Sequence, residues 1–220
     1  MKNRKVQKLL KLPSKPNLKF EKALKNEGFH YIAGVDEVGR GAWAGPVVAA
    51  AVVLPERCSL PGVNDSKLLS SKLRKTLSEK IKEQARAFGV GVASAAEVDS
   101  LGLSQANALA VTRALRSLPE SPDHVLLDGY GPEIPNIPST SFIKGDRISL
   151  SIAAASIVAK VFRDELMEAW EAEHPGFGFN LHKGYGTQLH RRALQSKGPS
   201  DIHRKSYGPM ANLHVHDDGS

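Results

Sequence analysis

Cysteine is nearly absent: Cys58 is the one thiol among 220 residues. That excludes an intramolecular disulfide framework and a zinc site built on several thiolates. Long apolar runs are missing too. The longest uncharged one, Ala42 to Pro55, is rich in Ala, Val and Gly and too short to span a bilayer. The lysine-rich start lacks a long apolar core followed by a small-residue cleavage site, so no secretory signal is read and the default address is the cytoplasm. No internal repeat is found. What is present, 41% hydrophobic and 24% charged residues with 19 Gly and 13 Pro, excludes collagen-like, coiled-coil and wholly disordered chains. The length suits one generous domain, or one domain with an appendage.

The formal charge of +7 is unevenly spread. Residues 1–30 hold nine basic side chains against Glu21 and Glu27, which accounts for the whole excess, and the remaining 190 residues are formally neutral. A basic lead on a balanced body fits a polyanion-binding arm and a plain solvated terminus equally well. Pro13 and Pro16 interrupt it, so residues 1–19 are expected to form a flexible tail. Residues 20–210 are expected to be the folded body, and residues 211–220, with Asp217-Asp218-Gly219, a frayed end.

Periodicity predicts a short helix from Phe20 to Asn26 and strands at Tyr31–Glu37 and Val47–Leu54. A helix capped by Ser70 or Ser71 runs to about Arg86, with Leu73, Leu77, Ile81 and Ala85 on one face. Phe88–Ala95 alternates as a third strand, and Leu103–Leu118 is helical. Short strands follow at Val125–Asp128 and Thr140–Lys144. Ile148 to Glu173 is the longest helical pattern, and Gln188–Gln195 the last. Three early strands, then helices alternating with short strands, argue for a mixed α/β sheet.

Three acidic motifs stand at element ends. In Gly34-Val35-Asp36-Glu37-Val38-Gly39-Arg40-Gly41, two adjacent carboxylates close an apolar strand. Alternation turns one of them toward the core side, where a buried carboxylate signals a cation or a hydrogen-bond network. Gly39, Gly41 and Gly45 permit close backbone approach by a ligand. Solvated acids in a strand-end turn are the alternative. Asp128-Gly129 ends another apolar strand, and Lys144-Gly145-Asp146-Arg147 precedes the long helix, where Asp146 also suits the helix dipole. Taken singly, each has an ordinary explanation. Together they are hard oxygen donors suited to Mg²⁺ or Mn²⁺, and several carboxylates converging on two such ions is the arrangement for in-line phosphodiester cleavage.

These motifs, with Gly45-Pro46-Val47-Val48-Ala49-Ala50-Ala51-Val52, Asn64-Asp65-Ser66-Lys67, Ser151–Val161, His182-Lys183-Gly184-Tyr185 and His203-Arg204, occur in one order in which the sequence resembles bacterial ribonuclease HII. The resemblance covers roughly residues 20 to 210. It implies an α/β, ribonuclease H-like fold: a mixed central sheet flanked by helices, with a helical C-terminal part beside a substrate groove. It also implies Asp36, Glu37, Asp128 and Asp146 as the catalytic, metal-binding acids, and Gly39, Arg40, Gly41 and Tyr185 as readers of the ribonucleotide's 2′-hydroxyl and the adjacent sugar. The family often has Asn where this chain has Tyr130 and Ser where it has Arg147. Asp128 in place of a glutamate, and the short lead, point away from the related type 3 enzymes.

Other polar residues have plain readings beside functional ones. Lys67 could contact a phosphate or be a solvated loop lysine. Lys160 is expected to snorkel from an apolar helical stretch to the surface. His182, His190 and His203 fit no zinc spacing and are expected in exposed polar roles. Trp43 and Trp170 are expected to pack, and Cys58 to be incidental. The reading is an endonuclease that cleaves the RNA strand of RNA–DNA hybrids and cuts at single ribonucleotides in duplex DNA, monomeric and with no membrane partner. No clamp-binding peptide is found. A non-catalytic hybrid binder is disfavoured, because acids facing phosphates do not help binding. Another nuclease or recombinase on the same fold stays open.

Overall fold

The computed structural model describes residues 4–7, 12–63 and 69–211. Its strands are β1 (Arg4–Gln7), β2 (Ile32–Val38), β3 (Val47–Val53), β4 (Ala87–Ala93), β5 (His124–Asp128) and β6 (Ser139–Phe142). They form one mixed sheet in the order β1-β6-β5-β2-β3-β4. The pairs β2–β3 and β3–β4 are antiparallel, while β2–β5, β5–β6 and β1–β6 are parallel. The helices are α1 (Lys19–Asn26), α2 (Ser71–Gln84), α3 (Ala95–Leu101), α4 (Leu103–Arg116), α5 (Leu150–Glu173), α6 (Phe179–His182), α7 (Gln188–Lys197) and α8 (Gly208–Ala211). The mixed α/β sheet and the helical C-terminal part therefore stand as expected.

The all-apolar strand β3 dictates the layering. It is buried on both faces, so both need a helical cover. Val48, Ala50 and Val52 pack with Ala153, Ala154, Ile157 and Val158 of α5 and with Leu77 and Ile81 of α2. Val47, Ala49, Ala51 and Val53 pack with Ala106, Ala110 and Ala114 of α4 on the other face. Small residues let the layers approach closely. A Cβ on Gly34 would collide with the main chain of Ser151 and Ile152, which fixes the first turn of α5 against the middle of β2.

Two differences from the sequence expectation concern element ends. Part of the expected N-terminal tail is structured: β1 satisfies the outer edge of β6, and Asn17 exchanges main-chain hydrogen bonds with Ile148 and Leu150. The other is α3, closed off from α4 by Gly102 at φ 77°. Its start has a reciprocal cap between Ser94 and Glu97, a signal present in the sequence. The C-terminal residues beyond 211 lie outside the described residues.

The packing at Gly34 yields a direct test. Gly34→Ala forces a methyl group into main chain that cannot rotate away, an overpacking cost of about 1–3 kcal/mol. Differential scanning fluorimetry is expected to show Tm lowered by about 3–10 °C. A change under one degree would contradict the packing.

Candidate active site

Parallel pairing of β2 with β5 brings the first three acids together. Val35 registers with Leu127, so Asp36 and Asp128 follow side by side at the carboxyl ends of neighbouring central strands. Strand alternation then sends consecutive carboxylates to opposite faces. Asp36 is hydrogen-bonded by Ser156 of α5 and accepts the Glu37 N–H at 2.8 Å. Glu37 pairs with Arg40 at 3.0 Å, with the side chain of Asn107 from α4 beside it. Asp128 accepts the Gly145 N–H at 2.5 Å, tying β5 to the 3-10 turn Gly145–Arg147. Asp146, the next residue of that turn, is buried.

Asp36, Glu37 and Asp128 line a cleft of about 470 Å³ together with Gly39, Arg40, Gly41, Ser156, Lys160 and Tyr185. Asp146 is not among the residues that line it. Lys67 lies outside the described residues. Sequence reasoning missed Ser156 and Asn107, whose contribution depends on helices 70 to 120 residues away in the chain. It also misplaced Lys160: its ammonium binds Asp164 at 2.6 Å and lies 5.9 Å from the Tyr185 ring centroid, inside the cleft rather than in bulk water.

The acids disfavour their own charges. Burial pushes the Asp36 carboxyl well above the usual range, and Asp128 and Glu37 push the same way, against the Ser156 and Glu37 N–H hydrogen bonds. Burial also raises Glu37, opposed mainly by Arg40. Among the described residues no three carboxylate, imidazole or thiol groups form a ready metal-binding cluster. The donor set nonetheless fits a hard divalent cation. Oxygen ligands held near one another at the cost of mutual repulsion gain stability from a cation between them.

The glycines of the turn divide into two kinds. Gly39 (φ 90°) and Gly45 (φ 82°) have left-handed backbone, and a Cβ on either would collide with Arg163 or Met167. Both positions therefore need glycine for internal reasons, a demand that adds to any role of their backbone toward a ligand. Gly41 differs: a Cβ there would point into open space.

Two buried arginines fix this turn. Arg163 of α5 donates to the carbonyls of Pro46, Ala44 and Lys183, and Arg204 donates to those of Gly45 and Arg40, all at 2.9–3.0 Å. The Arg163 guanidinium also sits 5.5 Å from the Tyr185 ring centroid. Close by, His182, His190 and His203 are buried, contrary to the exposed roles expected of them. The 182–187 loop, α7 and the segment after it fold their rings together among Phe177 and Phe179, a tertiary arrangement with no local signal in the sequence. Burial pulls His190 and His203 down to about 4, so both are neutral at physiological pH.

Carboxylates gathered at the carboxyl ends of adjacent central strands, beside a glycine-rich turn, define a metal-dependent phosphodiester hydrolase. The comparisons make that particular. Residues 33–209 match the family model described as Ribonuclease HII. A Ribonuclease HII of Synechococcus sp. (strain JA-3-3Ab) is 51% identical over 201 residues, 90% of each chain. Among solved structures, ribonuclease H2 from Pyrococcus horikoshii OT3 aligns with a TM-score of 0.70 at 25% identity, covering 83% of this chain and 96% of that one. The PCNA:RNase HII complex from Archaeoglobus fulgidus aligns at 0.68 and 26% identity, covering 84% and 99%. The chain belongs to the ribonuclease HII family. It is a divalent-metal-dependent endonuclease of the ribonuclease H kind, acting on RNA–DNA hybrids.

Repulsion within the acid cluster predicts a trade between stability and function. In chelator, Asp36→Asn removes one buried like charge while keeping the acceptor for the Glu37 N–H. A relief of about 1 kcal/mol raises Tm by about 2–4 °C in a thermal melt. A lowered Tm would show that the cluster is not repulsive.

Proposed function

We propose that this enzyme, besides cleaving RNA in long hybrids, cuts at single ribonucleotides embedded in duplex DNA. The carrying observation is the cleft itself, which has buried Asp36 beside Glu37 and Asp128 and also includes the open face of Gly41 and the ring of Tyr185. In this reading Asp36, Glu37, Asp128 and Asp146 hold a pair of Mg²⁺ or Mn²⁺ ions. When bound, the ions supply Lewis acidity for an attacking water and for the leaving 3′-oxygen.

The remaining roles fall to the chain. Ser156 and the Glu37 N–H hold the Asp36 carboxylate in one orientation, and Asn107 stands beside Glu37. Gly41 lets main chain approach the 2′-hydroxyl, the group that separates a ribonucleotide from its deoxy counterpart. Gly39 holds the backbone bend, and Arg40, half-exposed and paired with Glu37, would join Gly41 in reading the 2′-hydroxyl and the adjacent sugar. Tyr185 packs on the neighbouring sugar, with its phenol as a polar handle. Lys67 belongs to this proposal as a phosphate contact. Water adds to phosphorus and the P–O3′ bond breaks, leaving 5′-phosphate and 3′-hydroxyl ends.

Residues 20–210 would form the catalytic domain, acting as a monomer in the cytoplasm, where such substrates arise. Within the described residues no helix is long and apolar enough to cross a membrane. The Archaeoglobus relative is crystallised with PCNA. The sequence of this chain offers no evident clamp-binding peptide, and no clamp partner is proposed for it.

A gel assay with a long hybrid, a duplex holding one ribonucleotide and an all-DNA duplex tests the proposal. Wild type cuts the first two and spares the third. Asp146→Asn is expected to lose at least about 10²-fold in cleavage of both substrates, the scale of misplacing a reacting group. Tyr185→Ala should weaken cutting at the lone ribonucleotide more than cutting of the long hybrid, because a hybrid offers many registers and a lone ribonucleotide only one. Near-normal cleavage by Asp146→Asn at saturating Mg²⁺ would overturn the four-acid assignment.

A further inference from the structure

The Arg40 turn and Tyr185 line one cleft but come from segments nearly 150 residues apart. A directed chain of hydrogen bonds joins them behind the cleft wall. The Ser200 N–H donates to His203 Nδ1 at 2.8 Å, so neutral His203 carries its proton on Nε2. That proton points at His190 Nε2, 2.9 Å away, which must therefore accept. His190 then has its own proton on Nδ1 and donates it to the Tyr185 carbonyl at 3.1 Å. At the other end Arg204, next to His203 in the chain, holds the Arg40 and Gly45 carbonyls at 2.9 Å.

The third histidine fixes the plane of the second. His182 stacks on His190 with ring centroids 4.3 Å apart and an interplanar angle of 12°. Its Nδ1 accepts the Gly184 N–H at 3.1 Å, and its Nε2–H donates to the Phe177 carbonyl at 2.7 Å. Every donor in the chain meets an acceptor in only one assignment of protons. An apolar side chain would fill this space among Phe177 and Phe179 without the desolvation cost of burying imidazoles. What the imidazoles add is direction, from the C-terminal segment to the Tyr185 main chain.

We propose that the His190–His203 hydrogen bond is a positioning element: it sets where Tyr185 stands relative to the Arg40 turn, and thereby sets selectivity for a lone ribonucleotide over a long hybrid. The inference rests on Tyr185 reading the sugar, as proposed above. His190 and His203 touch no substrate. They act through the Tyr185 carbonyl and, by way of Arg204, through the turn.

The test is the ratio of cleavage rates on the single-ribonucleotide duplex and the long hybrid, measured for each variant in one preparation. Because both rates scale with the amount of folded enzyme, their ratio is insensitive to partial unfolding. His203→Leu removes the donor and should lower the ratio about tenfold, a modest misplacement on the scale of catalytic geometry. His203→Gln can still donate to His190 Nε2 and should restore most of it. Combining His203→Leu with Tyr185→Ala should give a ratio no lower than Tyr185→Ala alone, since both act at one point. Should the leucine variant fail to fold, His190→Asn keeps an N–H for the Tyr185 carbonyl, removes the acceptor His203 needs, and should lower the ratio likewise. An unchanged ratio in the folded bridge-breaking variant, or full additivity with Tyr185→Ala, overturns the inference while leaving the Tyr185 assignment standing. An unchanged ratio in Tyr185→Ala overturns that assignment and the inference with it.

Discussion

Two guanidinium groups taken out of water, Arg163 and Arg204, organise the substrate side of this molecule. Burying a charge is expensive, and it is tolerated where the group's donors are met by well-placed acceptors. Here the acceptors are five main-chain carbonyls, four of them in the segment Arg40–Pro46 and the fifth at Lys183, together with the Tyr207 hydroxyl, while Arg204 Nη2 finds no acceptor among the described residues. The arginines come from α5 and from the segment after α7, so three distant parts of the chain are locked to one another. Gly39 and Gly45 supply the left-handed backbone that points those carbonyls inward, and Gly184 (φ 82°) lies so close to the Ala44 carbonyl that a Cβ would collide with it. The glycine-rich turn is thus a rigid wall whose shape the rest of the fold dictates.

The acid cluster is built on the opposite principle. Its carboxylates repel one another, and the sheet holds them together because the parallel register of β2 and β5 sets Asp36 beside Asp128. Polar groups from helices on both faces, Ser156 and Asn107, steady the side chains without neutralising them. A rigid wall thus stands beside an anionic, cation-demanding floor; in the function proposed above the wall reads the sugar and the floor cuts the phosphate.

Much of this is legible in the sequence. The uninterrupted apolar strand at Val47–Val53 and the long pattern of α5 carried the layered fold, and acids at strand ends marked the site. What stayed hidden depended on contacts far apart in sequence. β1 carries one apolar side chain, Val6, and joins the sheet through main-chain pairing that no periodicity reports. The histidines at 182, 190 and 203 have no helical or strand period, so their mutual burial is visible only once α6, α7 and the loop after them are packed. Lys160 and Arg163 sit on a helix whose apolar face suggested ordinary core, yet their heads reach the cleft and the turn. The glycines were recognised as special, but the sequence did not show that Gly39 and Gly45 answer to internal packing while Gly41 faces open space. For Gly39 and Gly45 the decisive neighbours, Arg163 and Met167, lie more than a hundred residues downstream.

The account turns on the wall being held from behind. Amide hydrogen exchange on wild type and Arg163→Met measures that directly. Removing the guanidinium should accelerate exchange at Trp43–Gly45 and at Gly184–Tyr185 together, while amides in the middle of α4 keep their protection. Exchange that rises across the whole molecule, or that leaves the Trp43–Gly45 amides as protected as before, would contradict a turn fixed by buried arginine.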